Sequence, residues 1–154
     1  MTVELSGDDL AAWRALLDAH AAVVTVLERE LLAERGLPLS VYDVLVQLSE
    51  AGGRMRMSDL AGSLLLSRSG VTRLVDRVVG AGYAVREACP SDGRGTYAVL
   101  TRAGREALAG SWPTHARGVQ RHFADALQPG EARTLAAVLD RVRAHARVDC
   151  PSGR

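Results

Sequence analysis

The 154-residue chain contains no lysine, and all 19 of its basic side chains are arginine. This bias is typical of a GC-rich genome, so we do not interpret it as a functional choice. Aromatic residues make up only 4% of the chain, which argues against an aromatic platform on which single-stranded bases would stack. The two cysteines, Cys89 and Cys150, lack the spacing of a metal or redox motif.

The sequence also lacks an obvious membrane or export segment. Met1–Gly7 is short and polar, and we find no apolar run that approaches the roughly 18 residues of a spanning helix. We therefore expect a cytoplasmic protein with no membrane partner. The motifs Gly-x-Ser-x-Gly, His-Glu-x-x-His and Cys-x-x-Cys and the Walker phosphate loop are missing as well. We expect no enzyme activity, no catalytic residues and no cofactor.

What the chain does contain suits one globular domain, because 47% of its residues are hydrophobic and 24% are charged. The net charge is only +1, but it is unevenly distributed. Residues 1–53 carry −6, residues 54–105 carry +5 and residues 106–154 carry +2. A basic middle segment favours a DNA-binding surface, although an ordinary solvated face explains the charge alone equally well.

The centre of this basic segment is a predicted helix that begins after Ser67. Its apolar residues recur at helical spacing on one side: Val71, Leu74, Val75, Val78 and Val79. The opposite side carries Arg68, Ser69, Thr72, Arg73, Asp76 and Arg77. Ser67 suits the N-cap, and Gly82 suits the stop.

The flanking segments predict a winged helix-turn-helix. Ser58–Leu66 is a shorter predicted helix, and two such helices joined by about four residues place the second in a major groove. Tyr83–Cys89 and Thr96–Thr101 are predicted strands joined by the turn Pro90–Gly95, which makes a hairpin, the wing. Arg94 lies near its tip, where a guanidinium could enter a minor groove.

The other predicted elements complete a fold that is mainly α with a small β-wing (α+β). One is a third wing strand over Arg54–Met57. The others are four helices over Asp8–Arg35, Ser40–Ala51, Arg102–Leu127 and Glu131–Arg147. Ser40 is the predicted cap of the second of these helices, and Thr101 of the third. The terminal helices hold more apolar surface than one small domain covers. We predict a single domain over 1–154, with 1–36 and 102–148 as dimerisation helices and 37–101 as the DNA-binding lobe.

Two runs resemble known sequence patterns. Asp92–Thr101 resembles the wing of the MarR family of winged-helix regulators, and Leu66–Arg77 resembles the family's recognition helix. The resemblance extends over nearly the whole chain, although Gly93 replaces a second wing arginine of many members and Ala98 a usual valine. It implies a homodimeric, sequence-specific regulator of double-stranded DNA, which we expect to be a repressor at a pseudo-palindromic operator, relieved by a small aromatic effector.

The predicted DNA-binding side chains lie on the recognition helix and the wing: Ser67, Arg68, Ser69, Thr72, Arg73, Arg77, Asp92 and Arg94. The recognition-helix arginines are candidates for base or phosphate contacts, and the hydroxyls for phosphate or a thymine edge. Asp76 is expected to orient Arg73 or Arg77, or to balance local charge. Asp92 is expected to hold Arg94 by paired hydrogen bonds, or to serve only as a turn residue.

Other candidates carry competing interpretations. Trp13 and His20 are candidates for an effector pocket, or for ordinary core packing. His115 and His122 lie seven residues apart on one helical face, but the sequence offers no third metal ligand, so we predict no metal site. The alternatives to the main reading are a redox- or metal-responsive regulator of the same fold, with Cys89 beside the wing, and a winged helix that binds protein only.

Overall fold

The computed structural model describes residues 4–64, 66–89 and 92–148, with side chains described except at 89, 92–94, 147 and 148. The helices within these ranges are α1 (Gly7–Arg35), α2 (Leu39–Glu50), α3 (Met57–Ser63), α4 (Arg68–Gly80), α5 (Arg102–His122) and α6 (Glu131–Val148). The strands are β1 (Arg54–Arg56), β2 (Ala84–Cys89) and β3 (Asp92–Leu100). The predicted class, mainly helical with a small sheet, is confirmed.

Helix α1 begins one residue before the predicted Asp8 and ends at Arg35, as predicted. The Ser6 hydroxyl accepts a hydrogen bond from the Asp9 amide at 3.1 Å, and the Asp9 carboxylate accepts one from the Ser6 amide at 3.3 Å. This reciprocal arrangement satisfies two amide donors that a helix start leaves free. Gly36 ends the helix in the left-handed region at φ +63°, where a residue without a Cβ is favoured.

Helix α2 begins one residue earlier than predicted, and the expectation that Ser40 caps it is wrong. Pro38 occupies the N-cap position and makes no side-chain hydrogen bond. The carboxylate of Glu28, on α1, instead accepts a hydrogen bond from the Leu39 amide at 2.6 Å. The cap is therefore supplied by another helix, which a search for local capping residues cannot find.

The core lies where α2, α3 and α4 meet the inner face of the sheet. Leu45 and Leu48 of α2, Leu60 of α3 and Val75 and Val78 of α4 are fully buried there. These side chains supply the apolar burial that drives folding. Because α3 and α4 share this core, the helix-turn-helix is held as one unit.

The sheet is antiparallel with strand order β1-β3-β2. Arg56 pairs with Tyr97, which confirms the predicted third strand. Strand β3 begins at Asp92, so the predicted turn over Pro90–Gly95 is too long. Pairing with β2 is irregular between Ala88 and Cys89. A strand interrupted by a register shift lacks the unbroken alternation that sequence reading relies on.

Helix α5 is fixed to the base of the wing. The Thr101 hydroxyl accepts a hydrogen bond from the Gly104 amide at 3.0 Å, which confirms the predicted cap, and donates one to the Gly82 carbonyl at 2.7 Å. A Cβ at Gly104 would overlap the Tyr83 carbonyl oxygen, so this contact requires glycine. The helix ends at His122, earlier than predicted, and a short 3-10 turn follows.

The first half of α1 projects away from the core and is mostly exposed. Over Leu10–Leu27 only Arg14 and Asp18 are charged. Helix α1 is long and apolar enough to cross a membrane. It is the one helix among the described residues that meets both criteria. The expectation that no apolar run approaches that length is therefore wrong. One such helix is weak ground for a membrane span, because helices of soluble proteins share this composition.

Candidate nucleic-acid interface

Helix α4 has the two-sided character that its sequence predicts. Val71, Leu74, Val75 and Val78 are buried, and Val79 is half-buried. The predicted DNA-binding side chains of the helix lie on its other side: Ser67, Arg68, Ser69, Arg73 and Arg77 are exposed, and Thr72 is half-buried. The core therefore holds one side of α4 in place and presents the polar side to solvent.

The hydroxyls at the start of α4 are partly engaged within the helix. The Ser67 oxygen accepts a hydrogen bond from the Gly70 amide at 3.1 Å, as a cap, and lies 3.2 Å from the Ser69 hydroxyl. The Thr72 hydroxyl donates to the Arg68 carbonyl at 2.8 Å. Ser69 therefore has the least committed hydroxyl of the three. Together with Arg68 and Arg73 these residues line an open depression.

The three arginines of α4 keep their charge available. Arg73 donates a long hydrogen bond, 3.4 Å, from Nε to the Ser69 carbonyl. Neither it nor Arg68 or Arg77 forms a salt bridge with a carboxylate of the described residues. Uncompensated guanidinium groups on one exposed helical face are suited to phosphate oxygens and guanine edges.

The expectation that Asp76 orients Arg73 or Arg77 is wrong. Its carboxylate pairs with Arg86 of β2 at 2.9 Å. The same guanidinium nitrogen, Nη2 of Arg86, donates to the Thr72 carbonyl at 3.2 Å. Arg86 therefore connects the wing to α4, a contact between elements that the residue pattern within either one does not reveal.

The predicted wing contacts fall outside the described side chains. Asp92 and Arg94 belong to β3, and only their backbone is described, so the proposed pairing between them stays a prediction. Three wing residues that the sequence did not single out form a cluster on the outer face of the sheet. The Arg54 guanidinium lies 4.0 Å from the centre of the Tyr97 ring, and that of Arg56 lies 5.5 Å from it. The only sequence signal for this cluster was the alternation of arginine and methionine over Arg54–Met57.

The two effector candidates lie on the exposed part of α1. Trp13 is 55% exposed, so core packing does not explain it within one chain, and His20 is exposed as well. A cavity of about 260 Å³ lies elsewhere, between α2 and α5. Its lining is mostly apolar: Tyr42, Val46, Ser49, Glu50, Leu108, Ala109 and Trp112.

The two histidines of α5 have different surroundings. The His115 ring lies 4.6 Å from the Tyr42 ring, and its buried Nδ1 has no hydrogen-bond partner among the described residues. Burial lowers the pKa of His115. His122 hydrogen-bonds Glu30 of α1 at 2.8 Å, and this bond holds the pKa of the Glu30 carboxyl below its ordinary value. No group of three candidate metal ligands occurs in the part of the chain that the structure describes.

Comparisons with known proteins agree with this architecture. A sequence profile of the MarR family matches residues 35–95. The chain is 32% identical over 114 residues to the uncharacterized HTH-type transcriptional regulator YkoM of Bacillus subtilis, covering 74% of this chain and 73% of YkoM. It is 38% identical to the crystal structure of AbsC, a MarR family transcriptional regulator of Streptomyces coelicolor, with a TM-score of 0.86, covering 96% of this chain and all of AbsC.

A second structure from the same organism was solved with DNA. It is Sco3205, a MarR family transcriptional regulator of Streptomyces coelicolor, 32% identical to this chain with a TM-score of 0.84. The match covers 93% of this chain and 90% of Sco3205. These relatives are transcriptional regulators rather than enzymes. Sequence, fold and relatives agree: the chain belongs to the MarR family of winged helix-turn-helix transcriptional regulators.

Proposed function

We propose that the protein is a homodimeric repressor that binds a near-palindromic operator through α4 of each subunit, and that it acts in the cytoplasm. The observation that carries this proposal is the exposed side of α4. It presents Arg68, Arg73 and Arg77 without carboxylate partners among the described residues, while the opposite side is buried in the core. Its relative Sco3205 was crystallised with DNA, which supports the same use of the fold here.

The surface area of one chain supports a dimer. A compact monomer of 16.4 kDa exposes about 7,500 Å², whereas this chain, counted with the residues outside the described ranges, exposes 10819 Å². The difference, about 3,300 Å², is large enough to supply one side of a permanent homodimer interface, which buries about 2,000–5,000 Å² in total. Most of the large exposed apolar side chains lie on the terminal helices: Leu10, Trp13, Leu17, Val24 and Leu32 of α1, Trp112 of α5, and Val138 and Val142 of α6.

A two-fold dimer built from 1–36 and 102–148 would leave the lobe 37–101 of each subunit free for DNA. The two copies of α4 would then enter successive major grooves about 34 Å apart. Ser67, Ser69 and Thr72 would contact phosphates beside the arginines. Arg94, held by Asp92, would enter the flanking minor groove, most strongly where A/T-rich sequence narrows it.

A salt titration with duplex DNA tests this proposal. Arginine–phosphate contacts release counterions, so the logarithm of the association constant should fall linearly with the logarithm of salt concentration, by about 0.9 for each neutralised phosphate. Sedimentation of the free protein, measured in parallel, should give twice the chain mass. A monomer, or duplex binding that salt does not change, would contradict the proposal and favour a winged helix that contacts protein.

The cavity between α2 and α5 is where we propose that a small aromatic effector binds. Its walls include the rings of Tyr42 and Trp112, with Ser49 and Glu50 as polar groups. Because α2 packs directly on α4 and α5 is fixed to the wing, a ligand here would change the position of the DNA-reading helix. Trp13 and His20, on the exposed half of α1, would close the cavity only if α1 of the partner copy reached it.

Tryptophan fluorescence tests the effector site. In a Trp13→Phe variant the remaining tryptophan, Trp112, lies at the cavity. A panel of single-ring phenols and benzoates should include a compound that quenches it, raises the melting temperature by mass action and releases bound duplex. A Leu108→Phe change in the same background fills part of the cavity without adding a second tryptophan, and this variant should lose all three responses. A compound that releases DNA equally well from that variant would exclude this cavity as its site.

A further inference from the structure

The pair Asp76–Arg86 joins the recognition helix to the wing. Arg86 is a residue of β2 that is paired with Ala98 of β3, and its Nη2 atom meets both the Asp76 carboxylate, at 2.9 Å, and the Thr72 carbonyl, at 3.2 Å. One guanidinium therefore holds two successive turns of α4. Among the described residues, this is the salt bridge that links the two elements proposed to enter the major and minor grooves.

Asp76 is also the one carboxylate on the exposed side of α4. Its side chain is 62% exposed, and that of Arg86 is 34% exposed. A carboxylate facing DNA repels phosphates, and its pairing with Arg86 prevents that arginine from contacting them freely. The pair is electrically neutral, so it contributes little charge to DNA binding, while its geometry fixes α4 relative to the wing.

We propose that Asp76 and Arg86 are positioning residues that set the preference of the protein for its operator over other DNA. The proposal rests on the proposed DNA-binding function of α4. Random-sequence binding depends mainly on the charge presented to phosphates. Operator binding additionally needs α4 and the wing to reach their two grooves together. In the pair, Arg86 is not free to contact the phosphates of random-sequence DNA. The same contact aligns α4 with the wing, which operator binding needs.

Four proteins separate charge from geometry: the wild type, Asp76→Asn, Arg86→Gln and the double variant. Each is titrated by fluorescence anisotropy with a duplex selected from a random pool and with a scrambled duplex of equal length, over a range of salt. Asp76→Asn should tighten scrambled-duplex binding and steepen its log–log salt slope by about 0.9, one phosphate contact. Arg86→Gln should weaken binding to both duplexes, because it exposes an unpaired carboxylate.

The double variant shows whether the pair acts through its charge or through its geometry, because it restores the net charge without restoring the contact. We expect its affinity for the scrambled duplex to return to within about twofold of the wild type, while its affinity for the selected duplex stays lower by on the order of tenfold. A double variant that recovers both affinities would show that the pair acts through charge alone, and would overturn the positioning role. Equal operator preference in all four proteins would overturn it too.

Three controls keep the result interpretable. Asp140→Asn breaks a similarly exposed pair, Asp140–Arg143 at 2.8 Å, on the face of α6 opposite Val138 and Val142, and should leave both affinities and the sedimentation mass unchanged. Arg86→Lys keeps the charge balance but lacks the forked guanidinium, so it should keep scrambled-duplex affinity and lose part of the operator preference. Arg73→Ala tests the interface itself. If it weakens operator binding while the double variant does not, only the positioning inference fails; if it has no effect, the proposed interface fails.

Discussion

Glu28 of α1 caps the first turn of α2, because its carboxylate accepts a hydrogen bond from the Leu39 amide at 2.6 Å. Pro38, the residue at the N-cap position, makes no side-chain bond. A helix that begins without a local cap depends on the packing of another helix against it. The contact therefore ties α1, one of the proposed dimerisation helices, to the first helix of the DNA-binding lobe.

We expect Glu28→Ala to lower the free energy of unfolding by about 0.5–2 kcal/mol, the usual cost of losing a helix cap. Glu28→Gln retains an oxygen that can accept the bond and should lose less. Thermal melts at one protein concentration measure both. Equal losses in the two variants would show that the carboxylate acts through its charge rather than as the cap.

Gly104 has no room for a side chain, because a Cβ would meet the Tyr83 carbonyl and the Leu100 side chain. Gly104→Ala should therefore destabilise the fold by about 1–3 kcal/mol, the usual cost of overpacking. Gly80→Ala is the matched control, since it lies in a helix with nothing within 4 Å of its Cβ position. It should be neutral or stabilising by up to about 1 kcal/mol. Denaturant unfolding measures the free energy of unfolding of both variants. A Gly104→Ala variant as stable as the wild type would contradict the close contact.

His115 should make the fold less stable in mild acid. Burial lowers its pKa from the ordinary value of 6.5, so below pH 6.5 the unfolded chain binds a proton that the folded chain does not. Stability should fall as the pH decreases from 6.5 towards the lowered pKa, by at most about 1.4 kcal/mol per pH unit. His115→Phe should keep the ring contact with Tyr42 and reduce this slope. Identical pH profiles of the two proteins, measured by urea unfolding, would contradict the assignment.

Arg73 lies on the exposed side of α4 and donates only a long bond to Ser69. If it reads a base, Arg73→Ala should cost about 1–3 kcal/mol of operator affinity and relax the preference at one position. Arg133→Ala removes the same charge from the exposed surface of α6 and should leave the preference intact. Anisotropy titrations on a set of single-base operator variants provide the measurement. A uniform loss on every duplex would indicate a phosphate contact instead.

The recognition helix was predictable because its information is local. The apolar residues recur at helical spacing, and all of them except the half-buried Val79 are buried. Ser67 caps the helix as predicted. Periodicity and capping residues act within a few positions, so a single sequence exposes them. The same holds for Thr101, which caps α5 as predicted.

The features that the sequence did not predict share a different physical cause. Glu28 caps α2 from eleven residues upstream, and Arg86 takes the carboxylate of Asp76 from another element. Both partners are chosen by tertiary packing, which local patterns do not encode. Core packing was one of the two roles considered for Trp13, but its side chain is 55% exposed in one chain. An apolar stripe on a helix indicates that this face is buried against another surface. It does not show whether that surface belongs to the same chain or to a second copy.

Selection of bound duplexes from a random pool tests the central claim most directly. Two copies of α4 related by a two-fold axis should enrich an inverted repeat whose half-site centres lie about 10–10.5 base pairs apart, one helical turn. A single unpaired half-site, or no enriched sequence at all, would contradict the claim that a dimer reads DNA through α4.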